Sequence, residues 1–170
     1  GDFLNVSRLQ TGKFMIDKHP VDMIKLVQRE IDGLKQNAQA RHLHFVYIHP
    51  KTLPLVDLDE NKVQQVIMNF ADNAIYYSKD NGKITITLDE VPGYIELKVV
   101  DNGIGVPADE QKQLFNKFFR ATNARRARPD GTGVGLFLAR KVVDAHNGTI
   151  IFDSKEGKGS TFGFRLPVGK

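Results

Sequence analysis

Between Ile95 and Val99 every second side chain is apolar, with Glu96 and Lys98 between them. That alternation predicts a half-buried strand running to Asp101. Ile84-Thr85-Ile86-Thr87-Leu88 alternates in the same way, and Pro92-Gly93 predicts the hairpin that joins the two strands. Three stretches instead repeat at helical spacing. Ile24, Val27, Ile31, Leu34 and Ala38 predict a helix over about 23–41, capped by Asp22. Val63, Val66, Ile67, Phe70, Ala71 and Ala74 predict a second, starting near Asp59. Leu136, Ala139, Val142 and Val143 predict a third over about 133–146, closed by Asn147-Gly148.

Shorter signals fill the gaps. Residues 1–12 read as the end of a helix closed by Gly12, and Phe14 and Ile16 as a short strand stopped by Pro20. Phe45, Tyr47 and Ile48 mark a strand before Pro50, and Asn81-Gly82 marks a turn. Pro107 opens a short helix over 107–118, and a polar, Arg-rich loop follows over 119–130. Two strands, about 149–153 and 160–166, close the chain around the turn at 155–159. Hairpin-joined strands with helices segregated between them imply an α+β, two-layer sandwich and not a doubly wound fold.

Composition narrows the picture further. The chain has 170 residues, which fits one domain, and its 41% apolar content is enough for a single core. No run approaches the roughly 20 apolar residues that span a bilayer, and no signal peptide is visible. The chain opens at Gly-Asp-Phe-Leu without an initiator Met and reads as a fragment. It has no Cys, which excludes disulfides and thiolate metal sites. A net charge of +4 is a weak argument for nucleic acid. Arg120, Arg125, Arg126 and Arg128 are clustered, as for a local anionic ligand or a solvated loop.

Asp101 falls in the core phase of its strand, where a carboxylate is costly unless donors meet it. Gly103 and Gly105 follow and allow a backbone or a flat ligand to come close. The arrangement fits either a pocket floor or a turn cap. Gly131-Thr132-Gly133-Val134-Gly135 opens the third helix, where free N–H groups and the helix dipole suit a phosphate. It lacks the Lys of a P-loop and the preceding strand of a dinucleotide fingerprint. Asn69 and Asn73 share one face of the second helix with Gln65, Tyr76 and Tyr77. Their amide oxygens suit a hard cation such as Mg²⁺, or they are two surface amides. Tyr77 is placed to cover a flat ligand or to pack in the core. Phe115, Phe118 and Phe119 are hinge anchors for the following segment or ordinary core.

In succession, Asn69-x-x-x-Asn73, Asp101-x-Gly-x-Gly105, Phe115-x-x-Phe118-Phe119 and Gly131-x-Gly-x-Gly135 resemble the catalytic and ATP-binding domain of sensor histidine kinases. That family belongs to the GHKL superfamily of gyrase, Hsp90 and MutL ATPases. The resemblance covers about residues 13–168. It implies the Bergerat ATP-binding fold, a mixed sheet packed on three main helices. Residues 1–12 then correspond to the end of the dimerisation helix or a linker, and 13–170 to the catalytic domain. The implied cofactors are ATP and Mg²⁺. Asp101 would accept from the adenine amine, with Gly103 and Gly105 shaping the base pocket and Tyr77 beside it. Asn73 would ligate Mg²⁺ and Asn69 would lie at the phosphates, the two being the catalytic pair. Residues 119–130 would form a lid. Arg120, Gly131, Thr132, Gly133, Gly135 and Leu136 complete the implied nucleotide contacts. Many members carry a Lys three residues after the second Asn, where this chain has Tyr76, which leaves Lys79 or a lid arginine to replace the charge.

Hydrolysing relatives carry a Glu at the position of Asn69, and an amide cannot act as that base. The resemblance therefore implies transfer of the γ-phosphoryl group to a histidine on the dimerisation domain, and from there to a response regulator receiver domain. His19, His42, His44, His49 and His146 lack the family's phosphoacceptor context, so the acceptor is expected outside this chain. The fragment is expected to be a monomeric cytoplasmic domain of a homodimeric parent held in the plasma membrane, with no nucleic-acid partner. The alternatives are a catalytically silent nucleotide-binding module and a serine kinase of the same superfamily.

Overall fold

A computed structural model of the chain describes residues 15–115 and 134–168. The strands are β1 (His19–Val21), β2 (His44–Ile48), β3 (Val56–Leu58), β4 (Lys83–Val91), β5 (Tyr94–Asp101), β6 (Thr149–Lys155) and β7 (Gly159–Pro167). The helices are α1 (Met23–Ala40), α2 (Glu60–Tyr77) and α3 (Val134–Ala145), with a 3₁₀ helix over Ala108–Gln113. Five strands form one mixed sheet in the order β2-β4-β5-β7-β6. Only β2 and β4 run parallel in it, because their connection passes through α2. Ile84, Ile86 and Leu88 of β4, Ile95, Leu97 and Val99 of β5, and Phe162, Phe164 and Leu166 of β7 share one core with the apolar stripes of the helices. This is the expected α+β sandwich. Among the described residues no helix is long and apolar enough to cross a membrane.

The helical stripes fall where their spacing puts them. Every apolar residue assigned to α2 is buried, and on α1 the buried face also takes in Met23 and Leu26. Asp22 caps α1, its carboxylate accepting from Lys25 N at 3.3 Å. Both Asn-Gly signals hold, since Asn81 and Asn147 adopt φ of 65° and 59°.

Two expectations need correction. The strand foreseen at Phe14 and Ile16 lies instead at His19–Val21 and runs through Pro20; Phe14 is outside the described residues. Among the described residues this strand pairs with β3 alone, an element the sequence does not announce, and a two-stranded pair tolerates a residue without an N–H. The helix foreseen over 107–118 is a 3₁₀ helix from Ala108, with Pro107 at its cap position and no buried residue within it. Lacking an apolar face, it gains nothing from a longer α-helical register. The helix over 1–12 and residues 116–118 lie outside the described residues.

The N-terminus of α2 is tied down from two directions. Asp59 accepts from Lys62 N at 3.2 Å and from Asp17 N at 2.9 Å. Its own N–H donates to Nε2 of buried His146 at 3.0 Å. The other ring nitrogen, Nδ1, faces Val142 O at 2.7 Å. A carbonyl only accepts and an amide only donates, so His146 is the neutral tautomer with its proton on Nδ1. Burial lowers its pKa below 6.5, the Val142 bond and Asp59 oppose that, and Lys18 and Lys62 reinforce it.

A pH dependence follows. The unfolded chain takes up the proton as pH falls through about 6.5 while folded His146 resists it, so this residue's contribution is lost toward acid. Stability curves at pH 7.5 and 5.5 should show that loss in the wild type and a smaller one in His146→Gln, whose amide oxygen can still accept from Asp59 N. Equal losses in both proteins would mean that another group carries the acid sensitivity.

Candidate functional site

Asp101 is the last residue of β5, opposite Ser160 of β7. Its Oδ1 accepts from Gly103 N at 2.8 Å and, more weakly, from Ser160 N at 3.3 Å. Burial raises the pKa from 3.8 to about 6, and these two bonds offset part of the rise. The carboxylate thus caps the turn at Gly103 and also reaches across to β7.

The loop after Asp101 is held from two sides. Ile104 N donates to Tyr77 O at the end of α2 (3.2 Å), and Ile104 O accepts from Gly157 N of the β6–β7 turn (2.8 Å). Val106 N donates to Ser154 Oγ at 2.8 Å. A Cβ on Gly103 would collide with Tyr77 O, and one on Gly105 with Lys155 O. Gly105 also has φ of 66°, so a side chain there is excluded by conformation as well as by space. Lys79 Nζ sits 3.5 Å from Gly157 O, at the same end of the site.

The helix α2 supplies the next wall. Asn69, Asn73 and Tyr77 are half-buried, whereas Gln65 and Tyr76 are exposed. The Tyr76 and Tyr77 rings meet edge to face at 5.3 Å. The first turn of α3 abuts this wall: a Cβ on Gly135 would lie 2.5 Å from Asn69 Nδ2 and 2.6 Å from its Oδ1. Asn69 and Gly135, 66 residues apart in sequence, therefore meet in space. Leu136 is half-buried against the core. Phe115 packs edge-on against Phe152 and Phe162, which is core packing. Phe118, Phe119, Arg120, the other arginines of 119–130, Gly131, Thr132 and Gly133 lie outside the described residues.

Sequence reasoning missed Ser160, Ser154 and Arg41. The first two reach the site only through strand pairing, and Arg41 sits at the far end of another helix. Among the described residues no group of three or more His, Cys, Asp or Glu could hold a metal. Asn73 offers an amide oxygen, a ligand type that suits a hard cation beside phosphates and water. An open groove of about 590 Å³, lined by Asp22, Lys25, Arg29 and Glu60 among others, lies at the N-terminal ends of α1 and α2. Asp101 adjoins the C-terminal end of α2, so the groove is no part of this site.

A carboxyl-carbon titration of Asp101 in the free chain should centre near pH 6. A midpoint near 3.8, the value for an unburied carboxyl, would show that the pocket floor is solvated.

Comparisons with known proteins identify the family. Residues 58–170 match the family model described as histidine kinase-, DNA gyrase B- and HSP90-like ATPase. The chain is 32% identical over 168 residues to the sensor histidine kinase WalK of Bacillus subtilis, covering 98% of this chain and 27% of that protein. It is 36% identical to the adaptive-response sensory kinase SasA of a Synechocystis strain, covering 98% of this chain and 43% of that protein. It thus spans less than half the length of these curated relatives. Among solved structures, the catalytic domain of histidine kinase ThkA superimposes with a TM-score of 0.78 at 25% identity, covering 90% of this chain and 97% of that one. Full-length ShkA in complex with AMPPNP gives 0.85, also at 25% identity, over 99% of this chain and 35% of that one. The chain therefore belongs to the histidine kinase-, DNA gyrase B- and HSP90-like ATPase family, among the catalytic domains of sensor histidine kinases.

Proposed function

We propose that this domain binds ATP with Mg²⁺ and donates the γ-phosphoryl group to a histidine on a dimerisation domain outside the chain, within a two-component system. The observation that carries the reading is Asp101. It is a partly buried acceptor on a core strand, followed by a glycine turn that tolerates no side chain at 103 or 105. With Oδ1 occupied by two amides, Oδ2 is the oxygen offered to the exocyclic amine of adenine. The ionised form accepts best, so nucleotide binding should pull the Asp101 pKa down from about 6.

Asn73 would hold the Mg²⁺, which neutralises phosphate charge when bound. Asn69, pressed by the first turn of α3, would sit beside the phosphates with Gly131, Thr132, Gly133 and Gly135 bringing backbone donors. Arg120 and its neighbours would add positive charge. An amide at position 69 orients but takes no proton, which favours transfer over hydrolysis. Leu136 would support this entry from the core side. The expected acceptor domain, the response regulator and a homodimeric parent with a cytoplasmic catalytic domain complete the proposal.

A second reading, a catalytically silent nucleotide-binding module, is favoured by Tyr76. It stands 43% exposed on the wall where many relatives carry a Lys. Mixing the chain with its dimerisation domain and ATP–Mg²⁺ separates the two. Phosphohistidine on the partner is expected, together with loss of most ATP binding in Asp101→Asn. ATP binding without any transfer would establish the silent module, and unchanged affinity in Asp101→Asn would remove the adenine assignment.

A further inference from the structure

The last carbonyls of a helix have no partner within it and must find one elsewhere. At the C-terminus of α2 each of them does. Ala74 O accepts from Ser78 N and from Ser78 Oγ. Tyr77 O accepts from Ile104 N, the bond that anchors the loop after Asp101. The remaining partners come from one side chain, Arg41, at the end of α1. Its Nη1 donates to Ile75 O and to Tyr76 O, the latter at 2.8 Å, and its Nη2 donates to Ser78 O. Its Nε donates to Asp80 Oδ1 at 3.0 Å, and its own carbonyl accepts from Asn81 N at 3.2 Å. One residue thereby grips the segment from 75 to 81 at five points.

The grip has a directional consequence. With the carbonyls on either side of Tyr77 taken up by the guanidinium, the orientation of the Tyr77 peptide is settled, and its oxygen faces Ile104. The loop passes directly against that oxygen, since a Cβ on Gly103 would collide with it, and Ile104 N is bonded to it. A planar fork with five donors can serve three carbonyls and a carboxylate at once, whereas an ammonium cannot match that geometry. The positive charge also lies at the negative end of the helix dipole.

We propose that Arg41 is a positioning residue for the nucleotide pocket: by holding the end of α2 it fixes the Tyr77 carbonyl, and through it the loop that carries the base-binding turn. This rests on the reading of Asp101 as the adenine acceptor. Arg41 acts on the base end, so its loss should weaken ATP and ADP by the same factor. A lost phosphate contact would instead affect ATP more than ADP.

The test is calorimetric titration of ATP and ADP into the wild type, Arg41→Ala, Arg41→Lys and Asp101→Asn, each well below its thermal midpoint. Amide exchange at Ile104 is followed in the same proteins. For Arg41→Ala the expected result is about tenfold weaker binding of both nucleotides, faster exchange at Ile104, and recovery of affinity on adding methylguanidinium. Arg41→Lys should lie between Arg41→Ala and the wild type, and it decides the matter if Arg41→Ala does not fold. A purely structural role would lower the midpoint and leave affinity at low temperature unchanged, and that result would overturn the inference. If instead Asp101→Asn binds like the wild type, the base-pocket reading fails first, and unchanged Ile104 exchange in Arg41→Lys would still reject the hold on the loop.

Discussion

The architecture of the site turns on a carboxylate placed in a row of core residues. Ile95, Leu97 and Val99 face the core from β5, and Asp101 continues their phase. A partly buried carboxylate there must be met by donors, and the nearest are backbone N–H groups. Ser160 supplies one because β7 pairs with β5 in the register that puts it opposite. Gly103 supplies the other only if the chain reverses immediately after the strand. That reversal drives the loop against the end of α2, where a Cβ at position 103 has no room. One partly buried carboxylate thus ties together the register of two strands, the turn that follows, and the identity of a residue in it.

The helix α2 is the member to which α1 and α3 are attached. Its N-terminus is held by His146 from the end of α3, through Asp59 N. Its C-terminus is held by Arg41 from the end of α1. Between these ends it carries Asn69 and Asn73, with Gly135 of α3 pressed against Asn69. The part of the site near α3 and the part near Ile104 are therefore braced by different helices. Two otherwise costly sets of unpaired backbone groups have become the fastenings of the site.

What could be read in the sequence follows from what is local. Alternation predicted β4 and β5, and helical spacing predicted the buried faces of α1, α2 and α3, because burial of one face is encoded within each segment. The pair β1–β3 was not legible: each strand has three residues, and pairing between them makes both. The helix foreseen from Pro107 is 3₁₀ over Ala108–Gln113, because that stretch is polar after Ala108 and buries no residue to favour an α-helical turn. Asp101 was legible as an anomaly of phase. Its partner Ser160, the cap Arg41 and the tie at His146 were not, since each depends on segments brought together over 59, 34 and 87 residues. The meeting of Gly135 with Asn69 was implied only by the order of the motifs.

Tyr76 and Lys79 show how the helix end limits substitution by nearby residues. Lys79 is only three positions beyond Tyr76, so a shift of charge along the chain looks conservative. Ser78 intervenes, however, and leaves the helix with ψ of 155°. Beyond it the chain no longer follows the wall that carries Asn69 and Asn73, and the Lys79 ammonium lies beside Gly157 O at the loop end of the site. On the proposed reading, Lys79 is thus placed to influence the base end and does not restore the charge absent at Tyr76. The positive charge a triphosphate needs must then come from another segment, and the arginines of 119–130 are the concentrated source in this sequence. On the proposed reading, charge carried on that segment takes the place of a Lys on α2. Tyr76 would thereby make productive nucleotide binding more dependent on the segment between Phe115 and α3.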